Sequence, residues 1–292
     1  MQVDIILPTY NSARFLDAQI ESIVGQRHQD WCLYIRDDGS SDQTCTLIAD
    51  WASRDHRIHC LKTTNGHLGL SLGLRELLAA TTSPWVFFAD HDDVWLDNKL
   101  ARMLAVAMEK GVLNSMSFPV LLHSDLVVVD ANLDIIAPSL WRFLGIERQS
   151  NHIFSLLRRN RVTGCAAMIN RCLVDLLLST LHEKLVHDWW IAQLASLEGR
   201  IVSLPEQLVL YRQHDANQIG AVPAGLAKLP VLLNAARLSA YRLSLFSALG
   251  HLKSVSHSGR AVAMIRPVLF WEIIKRQTLY NILGFFEWLS TQ

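Results

Sequence analysis

Trp85-Val86-Phe87-Phe88-Ala89-Asp90-His91-Asp92-Asp93 is an apolar run that ends in four residues carrying three carboxylates. Five apolar residues bounded by polar ones read as a strand buried on both faces. In open α/β sheets ligands bind past the carboxyl ends of the strands, so the three acids are candidate site residues by position. Carboxylates packed this closely repel one another and lose hydration unless a cation neutralises them, and hard divalent ions with oxygen ligands do that best. A lone acidic triplet is more often a solvated turn. A second acidic turn, Asp37-Asp38-Gly39-Ser40-Ser41-Asp42, also follows a strand-like run, Cys32 to Arg36.

Outward from this stretch, strand-like and helix-like segments alternate up to about Asp130. Val3 to Leu7 leads to a predicted helix near Ala13 to Gln26, and Cys32 to Arg36 to one near Asp42 to Ala52. Ile58 to Leu61 leads to one near Leu70 to Ala80, and Trp85 to Ala89 to one near Asp97 to Lys110. Repeated βα units predict an α/β fold with a mostly parallel central sheet flanked by helices. The loops Thr9-Tyr10-Asn11, Asp37 to Asp42, Thr63 to Gly66 and Asp90 to Asp93 then open on one edge, the predicted nucleotide site. Beyond Leu121 the pattern loosens into a strand to Val129, a Gly-interrupted apolar segment Val162 to Ile169, a helix near Trp189 to Leu197 and a strand Leu208 to Tyr211. Gly220, Pro223 and Gly225 mark a boundary between residues 1–220 and a helical C-terminal extension, residues 221–292.

The chain has 292 residues, half of them hydrophobic, with 27 basic and 27 acidic side chains. No global field favours nucleic acid. The charge is uneven, because from Ala221 onward eight basic residues face only Glu272 and Glu287. A basic, aromatic-rich extension suits peripheral contact with an anionic membrane, and equally suits packing on protein. Five cysteines without close paired spacing argue against a disulfide framework or a zinc site. The first residues enter a strand with no basic leader, and no uncharged apolar run reaches the ~18 residues needed to span a bilayer. The expected location is the cytoplasm, at the inner face of the membrane.

Pro8-Thr9-Tyr10-Asn11, Asp37-Asp38-Gly39-Ser40, Asp90-His91-Asp92-Asp93, Gly164-Cys165 and His187-Asp188-Trp189-Trp190 stand in an order that resembles family 2 glycosyltransferases. These enzymes have the nucleotide-sugar-binding fold called GT-A, and the resemblance covers roughly residues 3 to 215. Ala89 to Trp95 with Lys99-Leu100, and Tyr211-Arg212-Gln213-His214, are similar to bacterial rhamnosyltransferases of surface polysaccharide synthesis.

The resemblance implies roles. Thr9, Tyr10 and Asn11 contact the nucleoside, although Asn11 or Ser12 can also cap a helix. Asp38 reads the base, where a carboxylate suits a pyrimidine N3–H, and Asp37 shapes the turn, while Ser41 and Asp42 read better as helix caps. Asp92 ligates Mg²⁺ or Mn²⁺, and Asp90 reaches the ribose or the metal through water. Asp93 either tunes the metal or caps the helix beginning near Leu96. Asp188 is the base that takes the acceptor's proton. Trp189 and Trp190 stack on acceptor sugars or pack in the core. Arg212 is a diphosphate clamp and His214 a metal or phosphate ligand, or else structural. Asn65 and Gly66 resemble the donor-side loop, yet Leu70, Leu72 and Leu74 replace the polar residues often found on the next helix.

The expected activity is inverting, metal-dependent transfer of one sugar, rhamnose among the candidates, from a uridine or thymidine diphosphate donor to a saccharide or lipid-linked acceptor. A sugar-1-phosphate nucleotidyltransferase would open with a Gly-rich turn, which Pro8 to Ser12 lacks. A non-catalytic nucleotide-sugar scaffold would have no need of both Asp92 and Asp188.

Overall fold

The computed structural model describes residues 1–61, 67–146, 150–181 and 186–215. Asn65, Gly66 and the expected extension, 221–292, lie outside the described residues. The first half runs β1 (Val3–Thr9), α1 (Leu16–Val24), β2 (Trp31–Asp37), α2 (Thr44–Arg54), β3 (Ile58–Cys60), α3 (Leu70–Ala80) and β4 (Trp85–Phe88). Short β5 (Val94–Trp95), α4 (Lys99–Glu109), β6 (Val120–Val129), β7 (Ile135–Ala137), α5 (Leu140–Phe143) and α6 (Ile153–Arg158) follow. A 3₁₀ turn, Gly164–Ala166, precedes β8 (Ala167–Asn170), α7 (Arg171–Thr180), α8 (His187–Glu198) and β9 (Arg200–Arg212).

The strands form one nine-stranded sheet in the order β3-β2-β1-β4-β8-β6-β9-β5, with β7 on β6. From β3 to β4 every pair is parallel, as the βα repeats predict. Beyond β4 the sheet is mixed: β8 is antiparallel to both β4 and β6, β9 is parallel to β6, and β5 is antiparallel to β9. The change of direction follows from connections too irregular to be right-handed βα crossovers. Leu16, Ile20 and Ile23 of α1 recur at helical spacing and are fully buried. They join Ile5, Leu7, Trp31, Phe87, Leu100 and Met103 in the main core.

Register fixes the site edge. Thr9 is level with Asp37 and Ile6 with Phe88, so the exits of β1, β2 and β4 lie side by side. Asp4, 1% exposed on β1, holds the start of β4 by accepting from the backbone of Thr82 (2.7 Å), the backbone of Ser83 (2.7 Å) and Ser83 Oγ (2.8 Å). A buried carboxylate is tolerated when its lone pairs are filled in this way. After α8 the chain reaches β9 through Gly199, where a Cβ would lie 1.8 Å from the Pro119 carbonyl oxygen, so only glycine fits. No helix among the described residues is long and apolar enough to cross a membrane.

His123 on β6 is fully buried, with its Nε2 2.8 Å from Ser203 Oγ and its Nδ1 unpartnered. Burial lowers its pKa to about 4 from an ordinary 6.5. The folded state thus favours the neutral ring, and its contribution is complete above pH 6.5 and lost as pH falls toward 4. The loss amounts to about 3 kcal/mol across that window. Urea unfolding of His123→Gln at several pH values should show a shallower decline than the native chain. An unchanged slope would show that another group sets acid stability.

Candidate active site

Three of the acids predicted at the edge are gathered with partners from distant elements. The turn between β4 and β5 is held from β9, because Arg212 donates its backbone N–H to Asp93 Oδ1 (3.1 Å) and its Nε–H to the Asp92 carbonyl (2.7 Å). Its Nη1 reaches the Ala131 carbonyl (2.6 Å), and the guanidinium lies over the Phe15 ring. Arg212 is 4% exposed. These contacts place it beneath the acidic turn. Asp93 caps no helix, since α4 starts at Lys99 after Asn98; it is fully buried with Oδ2 unpartnered.

His214 Nε2 lies 3.0 Å from Asp92 Oδ2, and its ring packs on Phe15. One ligating atom of each of Asp90, Asp93 and Cys165 also falls within a sphere where all lie within 4.8 Å of one another. Burial, then the charges of Asp92 and Asp188, pushes the Asp90 pKa up to about 7. Asp93 is raised too, by burial and by its two acidic neighbours. The opposing cation is Lys99, which sequence reading named only as part of a motif. It is fully buried, donates Nζ–H to the Cys165 carbonyl (2.6 Å) and sits 3.4 Å from the Trp95 ring centroid. Burial lowers its pKa to about 7, while Asp93 and Asp90 act in the opposite direction.

The donor set fits a hard divalent cation. Asp92 and His214 already converge on one point, with the buried carboxyls of Asp90 and Asp93 beside it. Oxygen with one imidazole suits Mn²⁺ or Mg²⁺, whereas the Cys165 thiol, raised well above its ordinary range by burial and the acids, is not a ligand for either.

On the nucleotide side Asp37 ties the turn together. Its Oδ2 accepts from the backbone of Gly39 (3.0 Å) and Ser40 (2.8 Å), and its Oδ1 from Thr9 Oγ1 (3.0 Å) and Ser40 Oγ (2.5 Å). Burial opposes ionisation, yet these bonds hold Asp37 below the usual carboxylate range. Asn11, at φ 49°, accepts from the Ser41 backbone (2.9 Å) while its own N–H goes to Ser40 Oγ (2.8 Å). Asp42 accepts from Thr44 N (3.0 Å) and Ala13 N (3.1 Å), joining the starts of α2 and α1. Tyr10 is exposed.

Asp38 is occupied. Arg36 Nη1 (2.6 Å) and Leu68 N (2.8 Å) donate to Oδ1, and Gly69 N (2.9 Å) to Oδ2. Arg36, fully buried, is also bound to Glu76 of α3 (2.6 Å), and Gly73 of α3 leaves room for its guanidinium. Thus α3 serves the site through Glu76 although its donor-facing positions are leucines. His67, absent from the sequence-based candidates, sits on Asp38 as well, with Nδ1 2.9 Å from Oδ2.

Asp188 opens α8 and accepts the Trp189 N–H (2.6 Å). Burial raises its pKa, and neighbouring His187, then hydrogen bonds from Trp189, Asn160 and Gly164, partly offset that. The turn lies against Gly164, where a Cβ would come 2.9 Å from His187 Nε2 and 3.8 Å from Asp188 Cβ, and the His187 ring stacks on Phe88. Trp190 is 1% exposed with its indole N–H on Thr180 Oγ1 (3.1 Å), so it is a core residue rather than a sugar platform. Trp189, half-buried, donates its indole N–H to the Leu156 carbonyl.

Residues 4–132 match the model of glycosyl transferase family 2. A UDP-Glc:alpha-D-GlcNAc-diphosphoundecaprenol beta-1,3-glucosyltransferase of Escherichia coli is 32% identical over 111 residues, 38% of this chain and 42% of that protein. The dTDP-rhamnosyl transferase RfbG of Shigella flexneri is 24% identical over 227 residues, 74% of each chain. Among solved structures, a mannosyltransferase from Pyrobaculum calidifontis in complex with GDP-Man and Mn²⁺ superposes with a TM-score of 0.56 at 16% identity, covering 96% of this chain and 83% of that one. The chain thus spans less than half of the Escherichia coli relative and about three quarters of the Shigella one. In fold it is a GT-A protein, and over residues 4–132 it is similar to glycosyl transferase family 2.

Proposed function

We propose that this chain transfers a single sugar, with inversion, from a pyrimidine nucleoside diphosphate donor to a saccharide or lipid-linked acceptor of surface polysaccharide synthesis. The observation that carries the reading is the meeting of Asp188 with the acidic turn: residues almost a hundred positions apart share one field, in which the Asp188 charge helps to raise Asp90. Asp188 removes the acceptor hydroxyl proton, the oxygen attacks the anomeric carbon, and the bond to the diphosphate breaks with its electron pair leaving on the nucleoside diphosphate. Asp92 and His214 would hold Mn²⁺ or Mg²⁺, which when bound supplies positive charge for the departing diphosphate. Asp90 lies beside them for the ribose, and Thr9, Tyr10 and Asn11 border the nucleoside.

The names of two relatives support this scope, one printing a UDP-sugar and a lipid-linked acceptor, the other a dTDP-rhamnosyl donor. Rhamnose is the sugar we favour, on the longer of those two alignments. The GDP-Man complex shows that the fold also accommodates a purine. We place the transferase domain in residues 1–220, working at the inner face of the cytoplasmic membrane, with the basic segment 221–292 as its peripheral contact.

Asp92→Asn should abolish transfer and weaken donor binding in Mn²⁺, because it removes a charged ligand at constant size. Asp188→Asn should keep donor binding, measured by calorimetric titration, and lose at least ~10²-fold in turnover. An equal loss of donor affinity would remove Asp188 from the base's role. Gly164→Ala should lower stability by about 1–3 kcal/mol through overpacking against the pinned His187 ring, and lower turnover by shifting Asp188. Adding His187→Ala should recover part of the lost stability in a double-mutant cycle; strictly additive losses would show that the two residues do not press on each other.

A further inference from the structure

We propose that Lys99 is a positioning residue that sets the spacing between Asp188 and the acidic turn, acting through the 3₁₀ turn Gly164–Ala166; this rests on the transferase reading above, in which Asp188 takes the acceptor's proton. The 3₁₀ turn is where the two sides of the site meet. Gly164 gives a backbone hydrogen bond to Asp188 and lies against the His187 ring. The next residue, Cys165, is fully buried, and its thiol lies within 4.8 Å of ligating oxygens of Asp90 and Asp93. Its carbonyl accepts Lys99 Nζ–H at 2.6 Å. Two successive residues thus face the base on one side and the acids on the other, and one side chain from α4 fastens them.

The surroundings of Lys99 suit that task. It opens α4, with its backbone N–H on the Leu96 carbonyl (3.1 Å), and its side chain is fully buried. Nζ sits 3.4 Å from the ring centroid of Trp95, a residue of β5, which follows Asp93 directly and is paired to β9. The amine is therefore held between a ring on the strand that leaves the acidic turn and a carbonyl of the turn that seats Asp188. Lysine is almost never fully buried, because its polar end gives up hydration; here that cost goes into one tie between two loops distant in sequence. An ammonium and a neutral amine both donate such an N–H, so the tie does not depend on the charge of Lys99. The acidic turn places the donor and Asp188 takes the proton, so their spacing fixes the line of attack, and a shift of ~1 Å in such a geometry costs on the order of 10²-fold in rate.

The test is a double-mutant cycle on the full chain in Mn²⁺, combining Asp188→Asn with Lys99→Met, which keeps an unbranched side chain without the N–H. Turnover is read as nucleoside diphosphate released from UDP-glucose and from dTDP-rhamnose, with water and with an alkyl N-acetylglucosaminyl diphosphate as acceptors. Lys99→Met should lower turnover by about 10–100-fold while UDP affinity, by calorimetric titration, stays within about twofold of native. In the Asp188→Asn background the same change should cost less than about threefold, because the group being positioned is already gone. Lys99→Gln, shorter and polar, repeats the cycle and keeps the test open where Lys99→Met does not fold. Losses that multiply in the double variant, a fall in UDP affinity as large as the fall in turnover, or unchanged turnover in the Lys99 variants would each overturn the role of Lys99 and leave the transferase reading standing. No release by the native chain from either donor brings down both.

Discussion

The acidic turn keeps its shape because Arg212 is buried beneath it. Three carboxylates within four residues would splay apart in water, yet Arg212 fixes the Asp92 carbonyl by its guanidinium and an Asp93 oxygen by its backbone N–H. Short β5 then zips onto β9 through Val94 and Leu210, two residues from the same arginine. The turn is therefore a part of the sheet and not a loop attached to it. Buried Lys99 lies among these acids, and their charges favour its protonated form.

The nucleotide side is built by the same device with different residues. Arg36 is a second buried cation, satisfied by Asp38 and Glu76 and packed on Gly73. Breaking one partner of such a set leaves a buried charge uncompensated, which typically costs about 3–5 kcal/mol. Its rigidity spreads to the segment Leu68–Gly69 through Asp38, so the start of α3 is placed by an ion cluster and not by a capping side chain. Two arginines on neighbouring parts of one sheet thus hold two acidic turns in place.

The surroundings of Asp188 depend on closeness more than on charge. Gly164 lets the first turn of α8 come against the end of the sheet, and the ring of His187, stacked on Phe88, fills what the glycine leaves. Asp188 is brought into partial burial by this packing, which is the main cause of its raised pKa. Trp190 anchors the same helix from behind by burying its indole against α7. A single missing methyl group at Gly164 therefore decides whether a carboxylate from the C-terminal half can share a field with the acids of β4.

Much of this was legible in the chain. The alternation of apolar runs and helical periods specified β1 to β4 and their helices to within a few residues, because short buried strands and amphipathic helices write their burial into local spacing. The acids at strand ends marked one edge of the sheet for the same local reason. Other features had no local signature. The mixed second half of the sheet depends on β8 inserting between β4 and β6, a pairing set by long-range packing. Sequence alone leaves Trp190 as either a sugar platform or a core residue and does not reveal that Arg212 is buried beneath the acidic turn. His67, Lys99 and Arg36 gain meaning only from partners that lie 29, 66 and 40 positions away. What the sequence determined by itself was which residues can form strands, helices and charged turns, since those choices rest on neighbours within one or two turns of chain. Only the tertiary structure decided which acid is filled by donors, which arginine lies buried beneath a turn and which tryptophan packs in the core, because burial and hydrogen-bond saturation are properties of what the folded chain brings together.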